Sequence, residues 1–188
     1  MRRFVVLLAA AALFAPAAAR AGSNPQIAGL QVALRAHGLY LSQIDGIAGP
    51  KTAAAVHAFQ VRHHLHIGVA DIRTRAALGP LGRPLFGSRT LRRGDFGWDV
   101  SVLQFLLTRR GVYNGALDGY MGPETSAALR RYQRAMHLNA DAVVGPRTLS
   151  AIVTHDKVPV RAHVNVAAGG GNALYVVRAG DSLTAIAK

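Results

Sequence analysis

The chain has no cysteine among its 188 residues. It therefore can form neither a disulfide nor a lipid attachment through cysteine, and it cannot supply the thiol nucleophile of a cysteine peptidase or a cysteine transpeptidase. Any domain that it forms must be held together by its own apolar core. A domain of roughly 60 residues buries only about 60% of the surface that its unfolded chain exposes, which makes it marginal but viable.

Acidic side chains are also scarce. The chain has nine of them, and Glu124 is the single glutamate. A glycosidase normally needs two carboxyl groups that flank the bond it cleaves. Glu124 falls in the first turn of a predicted helix, where a negative charge is favourable for electrostatic reasons. The nucleophile motifs G-x-S-x-G and S-x-x-K are also missing from the sequence. We therefore predict that this chain contains no active site.

The N-terminal 21 residues have the pattern of a secretory signal peptide. Two arginines follow the initial Met, residues 4–15 form an apolar run, and small residues come next. Residues 19–21 offer a cleavage site, with residues 17–19 as the alternative. The apolar run is shorter than the roughly 20 residues that span a bilayer. We therefore predict export, removal of residues 1–21, and no membrane span in the mature chain.

The same pattern of residues occurs twice at a constant offset, since 104 − 31 = 73 and 133 − 60 = 73. The matching pairs include Leu30-Gln31 with Leu103-Gln104, Asp45-Gly46 with Asp118-Gly119, and Gln60 with Gln133. Later the offset increases by one, so that Thr74 matches Thr148. This long register indicates two copies of one small domain, which we name repeat 1 (residues 24–78) and repeat 2 (residues 91–153).

Each repeat predicts three short amphipathic helices and no strand. Helix starts are marked by capping residues or Gly-Pro pairs, at Asn24, Gly49-Pro50, Asp71, Pro123 and Gly145-Pro146. Apolar residues then recur at helical spacing. Gly38 and Gly111 end the first helix of each copy, as glycine often does. The predicted fold class is therefore all-α, with two small three-helix domains in tandem.

Three further segments lie outside the repeats. Residues 79–90 are rich in Gly and Pro and are predicted to be a linker. Residues 154–173 include a Gly-Gly-Gly run and are predicted to be a second, flexible linker. Residues 174–188 begin like a strand, a turn and a helix, but one helical turn is not stable alone. We therefore expect this chain to be a fragment of a longer protein.

The repeated residues resemble the peptidoglycan-binding domain 1 family, small helical modules found on bacterial wall hydrolases. The family pattern has a Leu-Gln pair, a loop ending in Asp-Gly, two G-P-x-T helix starts and an aromatic-Gln pair. Repeat 2 matches it at Leu103-Gln104, Asp118-Gly119, Gly122-Pro123-Glu124-Thr125, Tyr132-Gln133 and Gly145-Pro146-Arg147-Thr148. Repeat 1 departs from it at Asp71-Ile72, where the second Gly-Pro should stand. Repeat 2 is therefore expected to bind more strongly than repeat 1.

The C-terminal residues 175–187 resemble the opening of a LysM module, a βααβ unit that binds glycans containing N-acetylglucosamine. Together these resemblances imply peptidoglycan as the partner, through its stem peptide, its glycan, or both. They imply no cofactor and no metal. His64-Leu65-His66 imitates the H-x-H of some zinc peptidases, but no third ligand with a neighbouring carboxylate is evident. We therefore interpret the histidines there as a surface cluster at a helix end.

Polar residues near the turns are the candidate ligand contacts. An amide can both donate to and accept from peptide or N-acetyl groups, and a tyrosine ring can stack on a sugar. The candidates are Gln31, Tyr40, Gln60, Gln104, Tyr113 and Gln133. The alternative for the glutamines is that each ties down a loop. Trp98 could also stack on a sugar, or it could be a packing staple before a helix.

The formal net charge is +13, of which Arg2, Arg3 and Arg20 lie in or beside the signal, leaving 13 − 3 = +10. Such a charge attracts anionic wall polymers non-specifically. Nucleic acid, the other polyanion, fits poorly with export. The function expected is therefore an exported, non-catalytic wall-binding segment that anchors by avidity. The alternative is the targeting portion of a larger wall hydrolase, a lytic transglycosylase or peptidase, with its catalytic domain beyond Lys188.

Overall fold

The computed structural model describes residues 23–154. Within them the chain forms six α-helices and one 3-10 helix, which confirms the prediction of a helical fold. The bounds are α1 Pro25–Ala36, α2 Pro50–Arg62, α3 Ile72–Ala77, the 3-10 helix Gly79–Gly82, α4 Trp98–Arg109, α5 Pro123–Ala135 and α6 Pro146–Thr154. The predicted signal peptide, the flexible linker and the LysM start lie outside the described residues.

The helices begin where local chemistry predicts. The Asn24 side chain accepts a hydrogen bond from the backbone N–H of Gln26 at 2.8 Å, and proline occupies the first turn of α1, α2 and α5. Asp71, which replaces a Gly-Pro pair, caps α3 by accepting from the N–H of Thr74 at 2.8 Å. Because a carboxylate satisfies a free N–H as well as any capping residue does, repeat 1 keeps its third helix despite the departure.

The two repeats share one apolar core rather than forming separate ones. Their equivalent helices α1 and α4 pack against each other. Gly29 lies at this contact, and a Cβ atom there would approach the Trp98 ring to 3.0 Å and the Val102 side chain to 3.2 Å. The absence of a side chain at Gly29 therefore lets α1 approach α4 closely, and the repeats have a fixed relative position.

The segment predicted as a linker, residues 79–90, is built into this core. Its 3-10 helix contacts α1, α3 and α4, and Leu81 within it is buried. Gly82 packs so tightly that a Cβ atom there would lie 1.7 Å from the backbone oxygen of Arg75. Farther along, the Arg89 guanidinium pairs with the buried Asp99 carboxylate at 2.7 Å. The segment connects the repeats and also holds them together.

Residues 91–96, which we name the cover segment, lie across repeat 2 and make a turn in which the Asp95 N–H donates to the Arg92 carbonyl at 3.1 Å. Leu91 forms an antiparallel bridge with Val144, and Phe96 forms one with Tyr120. The Leu91 side chain is 1% exposed. The helical pattern did not predict this segment, because isolated bridges leave no alternation of apolar and polar residues. Among the residues described, no helix has the length and apolar character needed to cross a bilayer.

Candidate functional site

Gln31 ties together the loop that follows α1. Its Nε2 donates to Asp45 Oδ1 at 2.8 Å, to the Ile47 carbonyl at 3.1 Å and to Thr52 Oγ1 at 3.0 Å. Its Oε1 accepts from the backbone N–H groups of Asp45 and Gly46 at 3.1 and 2.9 Å. One buried amide therefore fixes the Asp-Gly turn and joins it to the first turn of α2.

Gln104 repeats this arrangement in repeat 2. Its Nε2 donates to Asp118 Oδ1 at 2.7 Å, to the Tyr120 carbonyl at 3.1 Å and to Thr125 Oγ1 at 3.2 Å. Its Oε1 accepts from the N–H groups of Asp118 and Gly119 at 3.1 and 2.9 Å. The Leu-Gln, Asp-Gly and G-P-x-T elements of the sequence pattern are thus one hydrogen-bonded unit.

Gln133 holds the second loop of repeat 2 in a similar way. Its Nε2 donates to Asp141 Oδ1 at 2.9 Å, the Val143 carbonyl at 3.0 Å and Thr148 Oγ1 at 3.3 Å. Its Oε1 accepts from the Ala142 N–H at 2.9 Å. This network joins the end of α5 to the start of α6.

Gln60 performs the same task in repeat 1 with fewer bonds. Its Nε2 donates to the Val69 carbonyl at 3.3 Å and to Thr74 Oγ1 at 3.1 Å, and its Oε1 accepts from the Gly68 N–H at 3.0 Å. Ile67 stands where repeat 2 has Asp141, so the carboxylate partner is missing. The loop before α3 is therefore less firmly tied than its counterpart.

The candidate tyrosines are buried as well. Tyr40 is 3% exposed and Tyr113 is 6% exposed. Their hydroxyls donate to the carbonyls of Gln43 at 2.9 Å and Ala116 at 2.6 Å. Burial raises the pKa of both phenols above the ordinary value. Neither ring presents a face on which a sugar could stack.

These positions bear on the six predicted ligand contacts, which stay predictions. All four glutamines are 0% exposed, and both ends of each amide are bonded within the protein. The structure thus gives the glutamines the loop-tying role that the sequence left open, and it gives no support to direct ligand contact. The residues concerned are Gln31, Tyr40, Gln60, Gln104, Tyr113 and Gln133.

The aspartate beside Gln133 predicts a pH dependence of stability. The N–H of Val143 and the amide of Gln133 hold the pKa of Asp141 below its ordinary value. A carboxyl group with a lowered folded pKa contributes stability that is complete above its unfolded pKa, about 3.9, and is lost as the pH falls through the folded pKa. We expect a constant melting temperature from about pH 7 to 5 and a decline below about pH 4.

The matched variant is Asp141→Asn, which cannot titrate. It should melt lower than the wild type at neutral pH and lose less stability on acidification, as measured by circular dichroism melts from pH 7 to 2.5. If the melting temperatures of the two proteins fell equally on acidification, Asp141 would not be the group responsible.

Trp98 is a packing residue. Its side chain is 3% exposed, lies against Gly29 of α1, and donates from Nε1 to Gln26 Oε1 at 2.7 Å. This agrees with the interpretation of Trp98 as a staple and extends it, because the partner of Trp98 is the other repeat. A ring enclosed in this way has no free face for a sugar.

The histidines at the end of α2 make ring contacts. The His63 ring lies 4.2 Å from the Phe59 ring, and the His37 ring lies 5.0 Å from it. His64 and its counterpart His137 share a left-handed backbone, with φ of 51° and 54°, so their shared position marks a helix end. In the described part of the chain, no group of three metal-ligating side chains is placed to hold an ion.

Repeat 1 carries an open groove with a volume of about 670 Å³. Its walls come from α1, the first half of α2, the loop before α3 together with α3 itself, the segment between the repeats, and Trp98 at the start of α4. The lining is mainly apolar and includes Ile27, Leu30, Ala48, Val56, Ala70 and Phe86. Arg75 adds a positive charge to it. Sequence reasoning did not predict this groove, although the small size of Ala48 and Ala70 beside their counterparts Met121 and Val144 was a usable signal.

Comparison with known families agrees with this architecture. The model of the peptidoglycan binding domain family matches the chain twice, over residues 23–78 and 97–152. Together these segments make up more than half of the chain and coincide with the two sets of three helices. The chain belongs to this family of binding domains.

The curated relatives include enzymes of the bacterial wall. The N-acetylmuramoyl-L-alanine amidase CwlM of Mycobacterium tuberculosis is 33% identical over 109 residues, covering 58% of this chain and 22% of that protein. A spore cortex-lytic enzyme of Bacillus cereus is 36% identical over 72 residues, covering 38% of this chain and 28% of its own. The zinc D-Ala-D-Ala carboxypeptidase of Streptomyces albus G is 32% identical over 128 residues, covering 65% and 42%.

This chain thus spans less than half the length of each of these three relatives. No solved structure gave a match. The similarity therefore concerns only a part of each of these relatives.

Proposed function

We propose that this chain is an exported, non-catalytic segment that anchors to the bacterial wall by binding peptidoglycan. The observation that carries the proposal is the pair of family domains, joined in one core, with an open apolar groove in the first. The relatives named as an amidase, a cortex-lytic enzyme and a carboxypeptidase support a wall partner. The strongly basic composition would add non-specific attraction to anionic wall polymers.

The structure changes how anchoring is expected to work. Avidity between two equal sites requires that both be open. The groove of repeat 1 is open, whereas the cover segment crosses the matching face of repeat 2. We therefore place the main contact in repeat 1, the reverse of the order expected from the Gly-Pro motif. Avidity would then come from other wall-binding segments, such as the predicted LysM module.

A second candidate is the targeting portion of a larger wall hydrolase. It is favoured by the small share of each relative that this chain covers, 22% of the amidase and 42% of the carboxypeptidase. In both cases the role of residues 23–154 is the same. An assay of the full-length protein for release of soluble fragments from sacculi would distinguish the two.

The test is sedimentation of residues 22–155 with purified sacculi from which anionic polymers have been stripped. We expect retention at moderate salt that persists in part at about 1 M salt, where the Debye length falls to roughly 3 Å. Cellulose particles are the control and should retain nothing. Retention that disappears once exposed charges are screened would leave only a basic protein and would refute the proposal.

A further inference from the structure

The groove of repeat 1 and the covered face of repeat 2 are formed by equivalent positions of the two repeats. With the offset of 73, Ala48 matches Met121 and Val56 matches Leu129; with the later offset of 74, Ala70 matches Val144. At every one of these positions repeat 2 has the larger side chain, and all three of its side chains are buried. In repeat 2 the surface is therefore filled, and the cover segment is part of what fills it.

The cover segment is held by backbone hydrogen bonds at two places, an isolated antiparallel bridge to Val144 and a pair of bonds to Met121. Leu91 and Val144 exchange two bonds, with N···O distances of 3.4 and 2.9 Å. Next to them, the Gly94 N–H donates to the Met121 carbonyl at 3.1 Å, and the Met121 N–H donates to the Asp95 carbonyl at 2.8 Å. The backbone groups of the loop residues Met121 and Val144 thus form an edge to which another stretch of main chain bonds.

Repeat 1 has the same edge, and no described residue bonds to it. The N–H and C=O groups of Ala48 and Ala70 make no hydrogen bond to any described residue, and the neighbouring Val69 side chain is 87% exposed. Both repeats start with an equivalent backbone hydrogen bond. The Asn24 N–H donates to the Gly46 carbonyl at 2.8 Å, and the Gly97 N–H donates to the Gly119 carbonyl at 3.0 Å. The position that matches Leu91 is Ala18, which belongs to the predicted signal peptide and lies outside the described residues.

The charge around this edge also differs between the repeats. Arg75 lines the groove where repeat 2 has Leu149, and Lys51 stands in the first turn of α2 where repeat 2 has Glu124. The Arg75 guanidinium makes no hydrogen bond or ion pair among the described residues, and its side chain is half-buried. A free cation beside an apolar groove favours a ligand that carries carboxylates.

We propose that the groove of repeat 1 binds a carboxylate-bearing peptide through main-chain hydrogen bonds to Ala48 and Ala70, as the cover segment bonds to Met121 and Val144 in repeat 2. The proposal rests on the proposed function, and within it the ligand is the stem peptide of peptidoglycan rather than the glycan. Hydrogen bonds to the main chain supply affinity without large side chains, which suits a short peptide with small side chains. Sugar binding would instead favour an exposed aromatic ring, whereas the groove lining is mainly aliphatic and its two aromatic rings are the half-buried Phe86 and Trp98, which is 3% exposed.

The experiment uses the mature chain, residues 22–188, and three variants. Ala48→Met places in the groove the side chain that repeat 2 has there. Arg75→Leu replaces the groove cation by the residue of repeat 2, and Arg73→Leu removes the same charge from an exposed position of the same helix outside the lining. Each protein is titrated with free stem tetrapeptide and, separately, with peptide-free glycan, and is also sedimented with stripped sacculi. Melting temperatures check that the variants fold.

We expect the tetrapeptide to bind and to shift the backbone amide resonances of Ala48 and Ala70. Ala48→Met and Arg75→Leu should each weaken its binding at least tenfold, and Arg73→Leu less than twofold. Equal losses in both arginine variants would mean charge attraction alone and would overturn the proposal. So would groove-dependent binding of the glycan in place of the peptide.

The two levels of proposal fail differently. If sacculi retain the protein but the tetrapeptide does not bind, the stem-peptide inference fails while peptidoglycan binding stands. If sacculi do not retain the protein, the proposed function fails as well. A groove variant that has lost its fold would be recognised by its melting temperature, and the other groove variant would then carry the test.

Discussion

Replacing Gln104 by alanine is expected to lower the free energy of unfolding by roughly 3–5 kcal/mol. The change removes the acceptor for the Asp118 and Gly119 N–H groups and the donor to Thr125 and the Tyr120 carbonyl. A buried polar group left without a partner costs about 1–3 kcal/mol, and several lose theirs at once. Urea unfolding followed by circular dichroism measures the change.

The matched control is Gln43→Ala, which truncates an exposed glutamine and should change stability by no more than about 0.5 kcal/mol. Gln31→Ala should behave like Gln104→Ala, because the two amides have equivalent partners. One outcome would restore the hypothesis that the glutamines contact the ligand. If Gln104→Ala kept its stability but lost binding to sacculi, the amide would have to contact peptidoglycan in spite of its burial.

The helix boundaries could be predicted from sequence because their causes are local. Asn24 and Asp71 cap α1 and α3 through N–H groups two or three residues ahead, and proline fixes the backbone at the helix start. Such signals depend on few neighbours, so packing does not override them. Because the two copies have a constant offset, a helix start recognised in one copy predicts the equivalent start in the other.

The role of the glutamines could not be decided from sequence. An amide near a turn is suited equally to a ligand and to a loop, because both present N–H and C=O groups. The partners of Gln104 in the structure stand 9 to 21 residues away along the chain. Only the folded chain shows that these partners converge on the amide and exclude water from it.

The packing of one repeat against the other could not be predicted from sequence patterns either. Periodicity shows which face of α1 and α4 is apolar, but not that these faces meet across the repeats at Gly29. Likewise, a 73-residue offset shows that both copies have the same loops. Whether a loop edge is covered depends on the chain that precedes each copy, and Leu91 belongs to no helical pattern.

Trp98→Ala is expected to have the second large effect on stability, because Trp98 lies at the contact between the repeats. Truncating a buried tryptophan typically costs about 3–5 kcal/mol, and here the cavity opens between α1 and α4. The wild-type residues 22–155 should unfold in a single transition, since one core joins both repeats. In Trp98→Ala we expect a lower and broader transition, because the repeats lose part of what makes them unfold together. Calorimetry, comparing calorimetric and van't Hoff enthalpies, measures this.

Trp98→Phe separates packing from hydrogen bonding in that contact. It keeps a ring against Gly29 but loses the bond from Nε1 to Gln26, so we expect most of the cooperativity to remain, with a cost near 1 kcal/mol for the bond and a smaller one for the lost volume. Stability and binding together decide between the two roles of Trp98. If Trp98→Ala melted like the wild type and lost retention on sacculi, the ring would be a ligand contact and the repeats would not depend on it. Because the ring is enclosed between α1 and α4, we expect Trp98→Ala mainly to lower stability. Binding should weaken only to the extent that the groove of repeat 1, which Trp98 helps to line, is disturbed.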